Sequence, residues 1–296
     1  MRFVEKLIIK HKMKVLFILG SGHCGSTILD ILLGSHSKVC GVGEIETYVR
    51  RYKNKEKCAC GEIASRCYFW SRVTEGLKIN NDWKVGRKKL DILLDNQEFY
   101  FASDGSEINK DKYIKKQEEL YEKIQDHTGC ELIVDSSKYP QRVSLLSGSN
   151  KINPIILHLV RDGKGVTYSY LKKYENSLRY IWKWFAINFK TELLKNRIKC
   201  NCVFLKYSDL SKKPKRSIER ILSGVGLEYE EQMLNFNNYN NIEQHQIGGN
   251  RLKFNSINGI KEDLEWKDRL SWSHLFVFNI IGGLLNCYYS NKEIYE

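Results

Sequence analysis

The segment KVLFILGSGHCGSTILDILL (residues 14–33) constrains the fold of this chain more than any other part of it. Residues 14–19 are all apolar after Lys14, which is typical of a strand covered on both faces of a parallel sheet. Three glycines within 20–25 predict a turn, and the apolar residues of 28–33 predict a helix. A strand, a glycine-rich turn and a helix in this order predict an anion site, because the first N–H groups of a helix lack partners within the helix.

Further segments of these two kinds alternate along the chain. Apolar runs predict strands at 131–135, 154–160 and 202–207, and helical patterns occur at 163–174, 177–198, 214–226 and 271–288. Alternation of strands and helices indicates an α/β fold with a central parallel sheet and helices on both faces. We predict such a three-layer fold as one domain over 1–296, since 296 residues are enough for a single large core.

Residues 50–130 differ in composition from the rest of the chain. They begin with the basic run RRYKNKEK and contain polar helical patterns at 83–94 and 111–127. We predict a helical and irregular insertion that faces the substrate and that has no core of its own.

The glycine-rich turn resembles the phosphate-binding loop of nucleoside triphosphatases but lacks its lysine. Gly20 and Gly25 have the spacing of G-x-x-x-x-G, but Ser26 occupies the position of the lysine that reaches the β- and γ-phosphates. A P-loop-like fold is therefore expected to bind a single phosphate, or a phosphate with one further anionic group, through main-chain amides and two hydroxyls. The predicted contacts are Gly22, His23, Cys24, Gly25, Ser26 and Thr27.

A second anion site is predicted after the strand at 154–160. Arg161 follows this strand directly, and Ser169 lies eight residues further on in the predicted helix. In α/β folds, ligands bind at the carboxyl edge of the sheet. A guanidinium fork and a hydroxyl at that edge can hold a second phosphate, and the alternative is an ion pair of Arg161 with Asp162 that caps the helix.

The two segments GSGHCGST and LVRDGKGVTYS together resemble the paired signatures of the 3′-phosphoadenylyl-sulfate (PAPS)-dependent sulfotransferases. In that family the first loop holds the 5′-phosphosulfate, and the Arg and Ser at this spacing hold the 3′-phosphate. This donor has no β- or γ-phosphate, which accounts for the missing lysine. Further segments are similar to the bacterial and the Golgi or tyrosylprotein-type members: CGVGEI (40–45), VDSSK (134–138), LKYSDL (205–210) and HQIGGNRLKF (245–254).

The resemblance implies transfer of a sulfuryl group from PAPS to an acceptor hydroxyl of a glycan, a lipid, a small molecule or a tyrosine, with no metal required. It implies Glu44 as general base, Lys138 as the cation that stabilises the transferring group, and Asn250 and Arg251 as nucleotide contacts. The sequence departs from the family at His23, where a lysine or arginine is usual. An imidazole, with an ordinary pKa of about 6.5, can be protonated beside an anion. Lys138 is the alternative source of positive charge.

Two other functions are compatible with the sequence. An atypical P-loop phosphotransferase would use Asp135, after the strand at 131–135, as a magnesium ligand. A basic nucleic-acid-binding protein without catalysis would account for the net charge of +13. The chain contains no recognisable nucleic-acid-binding module, so we expect a nucleotide donor and a hydroxyl acceptor as partners rather than nucleic acid.

The nine cysteines cannot all form intramolecular disulfides because their number is odd. This favours a reducing compartment, and we predict the cytoplasm. The apolar runs are shorter than the ~20 residues of a membrane span.

Three cysteines, Cys58, Cys60 and Cys67, have the spacing C-x-C-x₆-C, which differs from the paired C-x₂-C units of zinc ribbons. A structural metal with Cys40 or a histidine as fourth ligand, a local disulfide and simple thiols all remain open. We therefore assign no metal ligand from the sequence.

Overall fold

The computed structural model describes residues 12–77, 99–101, 107–174, 176–236, 243–254 and 258–292, so the helical pattern at 83–94 lies outside the described residues. The strands are β1 (Met13–Leu19), β2 (Val39–Gly43), β3 (Phe99–Phe101), β4 (Glu107–Asn109), β5 (Leu132–Asp135), β6 (Ile152–Val160) and β7 (Asn201–Lys206). The helices are α1 (Ser26–Gly34), α2 (Tyr48–Lys53), α3 (Tyr68–Val73), α4 (Lys110–Thr128), α5 (Pro140–Leu146), α6 (Gly163–Leu171), α7 (Ser177–Arg197), α8 (Tyr207–Lys212), α9 (Pro214–Val225), α10 (Trp266–Arg269) and α11 (Trp272–Asn291).

Five strands form one sheet in the order β2-β5-β1-β6-β7, and every pair in it is parallel. β1 lies in the centre, where Leu16 is in register with Val134 of β5 and with Ile155 of β6. β3 and β4 pair with each other as a separate antiparallel ribbon. The predicted α/β class, with a central parallel sheet between helices, is confirmed.

Alternating side chains of β1 build the cores on the two faces of the sheet. Leu16 and Ile18 are buried with α1 and α9, whereas Val15, Phe17 and Leu19 are buried with α4 and α5 on the opposite face. A strand with both faces covered is apolar at every position, which explains the continuous run in the sequence. Each fully buried side chain of this size stabilises the fold by about 1.5–3 kcal/mol.

Helix α4 packs part of the region 50–130 into the main core. Tyr113, Leu120, Tyr121 and Ile124 follow helical spacing and are buried against the sheet in the same core as Phe17. The core thus extends into the region that the sequence assigned to a substrate-facing insertion, because a polar helix needs only one apolar stripe to pack on a sheet. Among the described helices, none combines the length and apolar character needed to cross a membrane.

The parallel sheet brings four loops to one edge. Because all five strands run in the same direction, their carboxyl ends meet on the same side. The glycine-rich turn follows β1, Glu44 follows β2, Lys138 lies three residues after β5 and Arg161 follows β6. Residues that are more than one hundred positions apart in sequence therefore become neighbours.

Candidate functional site

A cleft of about 630 Å³ opens at the carboxyl edge of the sheet. This volume lies within the range of roughly 300–1,000 Å³ that is typical of small-molecule sites. The glycine-rich loop, Glu44, Lys138, Arg161 and the segment 249–252 line it. Nearly all of the predicted site residues thus border one cavity.

Gly25 shapes the phosphate-binding turn. Its φ of +97° is in the left-handed region, and a Cβ there would lie 2.4 Å from the ring of Tyr207, so only glycine fits without rearrangement. No described side chain caps the start of α1, and its first residues, Ser26 and Thr27, line the cleft. The start of α1 is thus available to an anion.

Cys24 differs from the other residues of the loop. Its thiol is buried in the core beneath the loop, where burial raises the pKa of the Cys24 thiol. Cys24 has no exposed surface and is absent from the described lining of the cleft, so its thiol cannot contact a ligand there.

His23 is held in a sparsely populated conformation at the mouth of the loop. Its φ is +62°, and its ring packs edge-on against Tyr170 with 4.4 Å between ring centroids. Burial, together with the charges of Lys173 and Arg161, lowers the pKa of His23 to about 4. With this pKa the imidazole is neutral at pH 7. His23 therefore does not supply the positive charge that a lysine or arginine would provide at this position.

Lys138 supplies a cation beside the loop. It too has a positive φ, +66°, and its Nζ donates to the hydroxyl of Ser26 at 3.2 Å, to the carbonyl of Ser136 at 3.2 Å and to the carboxylate of Glu44. Burial alone would lower the pKa of Lys138, but the Glu44 carboxylate raises it above the ordinary value. A charged ammonium therefore contacts the residue that stands in the position of the missing loop lysine.

Glu44 lies between two cations. Its carboxylate pairs with Lys138 and lies 3.7 Å from Nη2 of Arg51. Burial alone would raise the pKa of Glu44, yet the two cations more than offset this and the pKa is lowered. Glu44 is therefore ionised, which a general base requires, although the paired cations reduce its proton affinity.

Arg161 connects the two predicted anion sites. Its Nη1 donates to the main-chain carbonyl of His23 at 3.0 Å and to the hydroxyl of Ser169 at 3.2 Å. The guanidinium also lies over the ring of Tyr207 and 3.4 Å from the carboxylate of Asp263. The Asp162 side chain accepts from the amide of Lys164 and caps α6 by itself. The cap of this helix therefore does not require the alternative ion pair of Arg161 with Asp162.

The segment after His245 closes one side of the cleft. The amide of Asn250 donates to the hydroxyl of Thr27 at 3.0 Å, while the Asn250 side chain accepts from the amide of Leu252. Arg251 is exposed and borders the cleft. Asn250 thus contacts the phosphate loop through its main chain, and its side chain serves the local turn.

Asp135, the candidate magnesium ligand of a phosphotransferase, lies in a buried network. Its carboxylate accepts from Tyr121, from Nε of Arg142 and from both the amide and the hydroxyl of Ser137. The side chain is fully buried. These bonds occupy the lone pairs that a metal would need, which disfavours the magnesium-dependent alternative.

Sequence reasoning missed several residues that line the cleft or contact its lining. Arg51 was seen only as part of a basic run, and the aromatic walls formed by Tyr170 and Tyr207 were not predicted. The two tyrosines could have been found from their positions in the sequence, since Tyr170 directly follows the predicted Ser169 and Tyr207 directly follows β7.

Comparison with solved structures identifies the architecture. The chain resembles the sulfotransferase domain from the curacin biosynthetic pathway, with a TM-score of 0.57 and 16% sequence identity over 92% of this chain and 97% of that chain. It also resembles the sulfotransferase domain from the Synechococcus PCC 7002 olefin synthase, with a TM-score of 0.50 and 18% identity over 92% of this chain and 95% of that chain. No protein-family model matches the chain, and no curated protein matches it significantly. At these identities the likeness shows that the chain has a sulfotransferase-like fold.

Proposed function

We propose that this protein is a PAPS-dependent sulfotransferase that transfers a sulfuryl group to an acceptor hydroxyl. The observation that carries the proposal is that two anion-binding groups of different kinds border one cleft. The first consists of the start of α1 with Lys138, and the second is Arg161, which borders the cleft and donates to the hydroxyl of Ser169. The sulfotransferase-like fold supports the same assignment.

In this proposal the donor's 5′-phosphosulfate binds at the start of α1. The amides from Gly22 to Thr27 and the Lys138 ammonium offer hydrogen bonds and positive charge there. The 3′-phosphate binds Arg161 and Ser169, whose guanidinium and hydroxyl already lie in contact. Displacement of the Asp263 carboxylate from Arg161 would accompany binding, because both anions require the same guanidinium.

The reaction is an in-line displacement at sulfur. The acceptor oxygen forms a bond to sulfur, the bond from sulfur to the bridging phosphate oxygen breaks, and adenosine 3′,5′-bisphosphate leaves. Glu44 takes the proton of the hydroxyl, and Lys138 stabilises the charge on the sulfuryl and leaving oxygens. Loss of the contact to Lys138, as that lysine turns to the donor, would raise the proton affinity of Glu44 when it is needed.

The acceptor class remains a glycan, a lipid, a small molecule or a tyrosine in this proposal. The net charge of +13 favours an acidic acceptor, because positive potential raises the local concentration of anions. The cytoplasm is the proposed location, in keeping with the unpaired cysteines.

Calorimetric titration tests the donor site directly. We expect adenosine 3′,5′-bisphosphate to bind without magnesium and about 10- to 100-fold more tightly than adenosine 5′-phosphate, since a charge-assisted contact is worth about 1.5–3 kcal/mol. Tighter binding of magnesium–ATP than of the bisphosphate would contradict the proposal. Transfer from ³⁵S-labelled PAPS to representatives of the four acceptor classes then tests the reaction itself.

A further inference from the structure

We propose that Cys58, Cys60, Cys67 and His245 form a zinc site. The three cysteines lie in the loop between α2 and α3, whereas His245 comes from a segment nearly 180 positions further along the chain. The fold brings one potential ligand atom of each residue within 4.8 Å of all the others. The sequence alone left the fourth ligand open, and the structure supplies it from a distant segment.

The distances between the ligand atoms match a tetrahedral site. The Sγ of Cys67 lies 3.6 Å from that of Cys60 and 3.7 Å from that of Cys58, and Nδ1 of His245 lies 3.3 Å and 3.9 Å from the sulfurs of Cys67 and Cys58. With Zn–S bonds of about 2.3 Å and Zn–N bonds of about 2.0–2.1 Å, a regular tetrahedron has S–S edges of about 3.8 Å and S–N edges of about 3.6 Å. The four distances therefore lie within about 0.3 Å of these edges, and the remaining two edges, from Cys60 to Cys58 and to His245, are no longer than 4.8 Å.

The alternatives named from the sequence fit this arrangement less well. A disulfide requires sulfur atoms about 2.05 Å apart. The sulfur of Cys67 is instead shared almost equally between Cys58 and Cys60, at 3.7 and 3.6 Å. Simple buried thiols would not require an imidazole nitrogen directed at two of them, as His245 is. The ligand set of three sulfurs and one nitrogen is a common one for structural zinc.

The surroundings orient the histidine. Its other ring nitrogen, Nε2, lies 3.4 Å from the carboxylate of Glu243, and its ring stacks on Phe69 with an interplanar angle of 6°. The indole of Trp70 donates to the main-chain carbonyl of His245 at 2.7 Å. Histidine ligands of zinc commonly donate the second ring N–H to a carboxylate, which fixes the tautomer and the ring orientation.

The main chain of the cysteine loop positions the sulfurs. The amide of Cys58 donates to the carbonyl of Glu62 at 2.8 Å, and the amide of Cys67 donates to the carbonyl of Ile63 at 2.9 Å. These bonds fold the loop back on itself and bring the cysteines at its two ends together.

The zinc site would fix one wall of the cleft. Two residues after His245, the main chain of Ile247 pairs with Gly43 and accepts from the amide of Glu44, and the Asn250 amide then contacts Thr27. The metal would therefore hold the segment 245–250 against the phosphate loop. This consequence rests on the proposed function, whereas the presence of zinc does not.

Metal analysis of the purified chain tests the site. We expect about one zinc ion per chain in the wild type and in Cys287→Ser, a matched control whose exposed thiol lies outside the cluster. Cys67→Ser and His245→Ala should lose most of the zinc. The proposal would be overturned if wild type and Cys287→Ser both contain no zinc and take up none when zinc is supplied under reducing conditions.

Cobalt substitution covers the case in which the ligand variants do not fold. Wild type in which Co²⁺ replaces zinc should show the strong visible absorption of tetrahedral cobalt together with sulfur-to-cobalt charge transfer. Absorption typical of octahedral Co²⁺, without charge transfer, would overturn the proposal. A chain that holds zinc but binds no bisphosphate would reject the proposed function alone. Weakened bisphosphate binding after chelation would support the role of the metal at the cleft wall.

Discussion

The ammonium of Lys138 donates to the carboxylate of Glu44 and lies 3.2 Å from the hydroxyl of Ser26. One side chain therefore connects the candidate base to the candidate phosphate loop. Lys138 follows β5, on the other side of β1 from Arg161, so the two cations flank the start of α1. This arrangement suits a ligand that carries two separate anionic groups, because positive charge lies on both sides of the loop.

Replacement of Lys138 by methionine tests the first of these charges. Methionine keeps much of the length of the side chain and removes the ammonium. We expect turnover to fall by about 10²-fold or more, because charge stabilisation of the transferring group is lost. Labelled sulfuryl transfer at saturating donor measures this, with bisphosphate titration as the control for binding. Turnover near that of the wild type would remove Lys138 from the mechanism.

Glu44→Gln tests the proposed base. We expect a loss of about 10²-fold in turnover with the affinity for the bisphosphate nearly unchanged, since the amide cannot accept the proton. Glu56→Gln is the matched control, because Glu56 also pairs with Arg51 but has no contact to Lys138 among the described residues. Equal activity of Glu44→Gln and Glu56→Gln would show that the carboxylate of Glu44 is not the base.

The pH profile should connect these two residues. The pKa of Glu44 is lowered by Lys138 and Arg51 against the effect of burial, so its carboxylate stays ionised until the pH falls below the ordinary glutamate range. Removal of Lys138 leaves burial less opposed and raises the pKa of Glu44. The residual activity of Lys138→Met should therefore decline at a higher pH on the acid side than that of the wild type. If the acid sides of the two pH–activity profiles coincide, Lys138 does not control the pKa of Glu44.

Arg161→Ala tests the second anion site. We expect the affinity for adenosine 3′,5′-bisphosphate to fall by about 10- to 100-fold, and that for adenosine 5′-phosphate to change little, because only the 3′-phosphate loses its guanidinium. Lys172→Ala is a suitable control, since Lys172 also pairs with Asp263 but is more exposed. An equal loss for both ligands would place Arg161 elsewhere than at the 3′-phosphate.

The protonation of His23 gives a test that does not depend on turnover. Its pKa is lowered to about 4 by burial and by the charges of Lys173 and Arg161, so its ring resonances should titrate well below pH 6 in NMR spectra. Bound bisphosphate should raise this pKa, because an anion stabilises the imidazolium. Comparison with His23→Gln identifies the resonance. A midpoint near the ordinary value of about 6.5 without ligand would refute the assignment of a neutral ring.

The central part of the fold could be predicted because it repeats a simple pattern. β1, β6 and α1 are buried on regular faces, so their apolar spacing is visible in the sequence. β2 was not predicted as a strand, since its sequence VCGVG is short and contains two glycines, and β5 is the one described strand that pairs with it at the edge of the sheet. Its place depends on pairing with β5 and on the bridge between Gly43 and Ile247, rather than on local propensity.

The residues of the candidate site likewise include some that could be predicted from the sequence and some that could not. Arg161 and Ser169 could be predicted as a pair because both belong to one strand–helix unit. The partnership of Cys67 with His245, and that of Glu44 with Arg51, depends on loop paths that no local pattern records. Roles that arise from long-range contacts therefore required the structure.

Asp30 provides a test of the packing that supports the site. This carboxyl of α1 is buried and accepts from the amide of Gly43, next to Glu44. Burial is the main cause that raises the pKa of Asp30 to about 7, the nearby Asp135 raises it further, and the neighbouring Ser136 and Gln246 side chains oppose the shift. The folded protein therefore binds the Asp30 proton more tightly than the unfolded chain does.

The sign of the pH effect follows from this difference. Between pH ~4 and ~7 the folded state holds a proton that the unfolded state has lost, so the contribution of Asp30 to stability falls as the pH rises, by at most about 1.4 kcal/mol per pH unit. Urea denaturation from pH 5 to 8 should show that Asp30→Asn gains stability relative to wild type as the pH increases. The exposed Asp268→Asn serves as control. A constant difference in stability between Asp30→Asn and wild type over this range would mean that Asp30 titrates outside it. The inference that the buried carboxyl of Asp30 is protonated below pH ~7 would then be wrong.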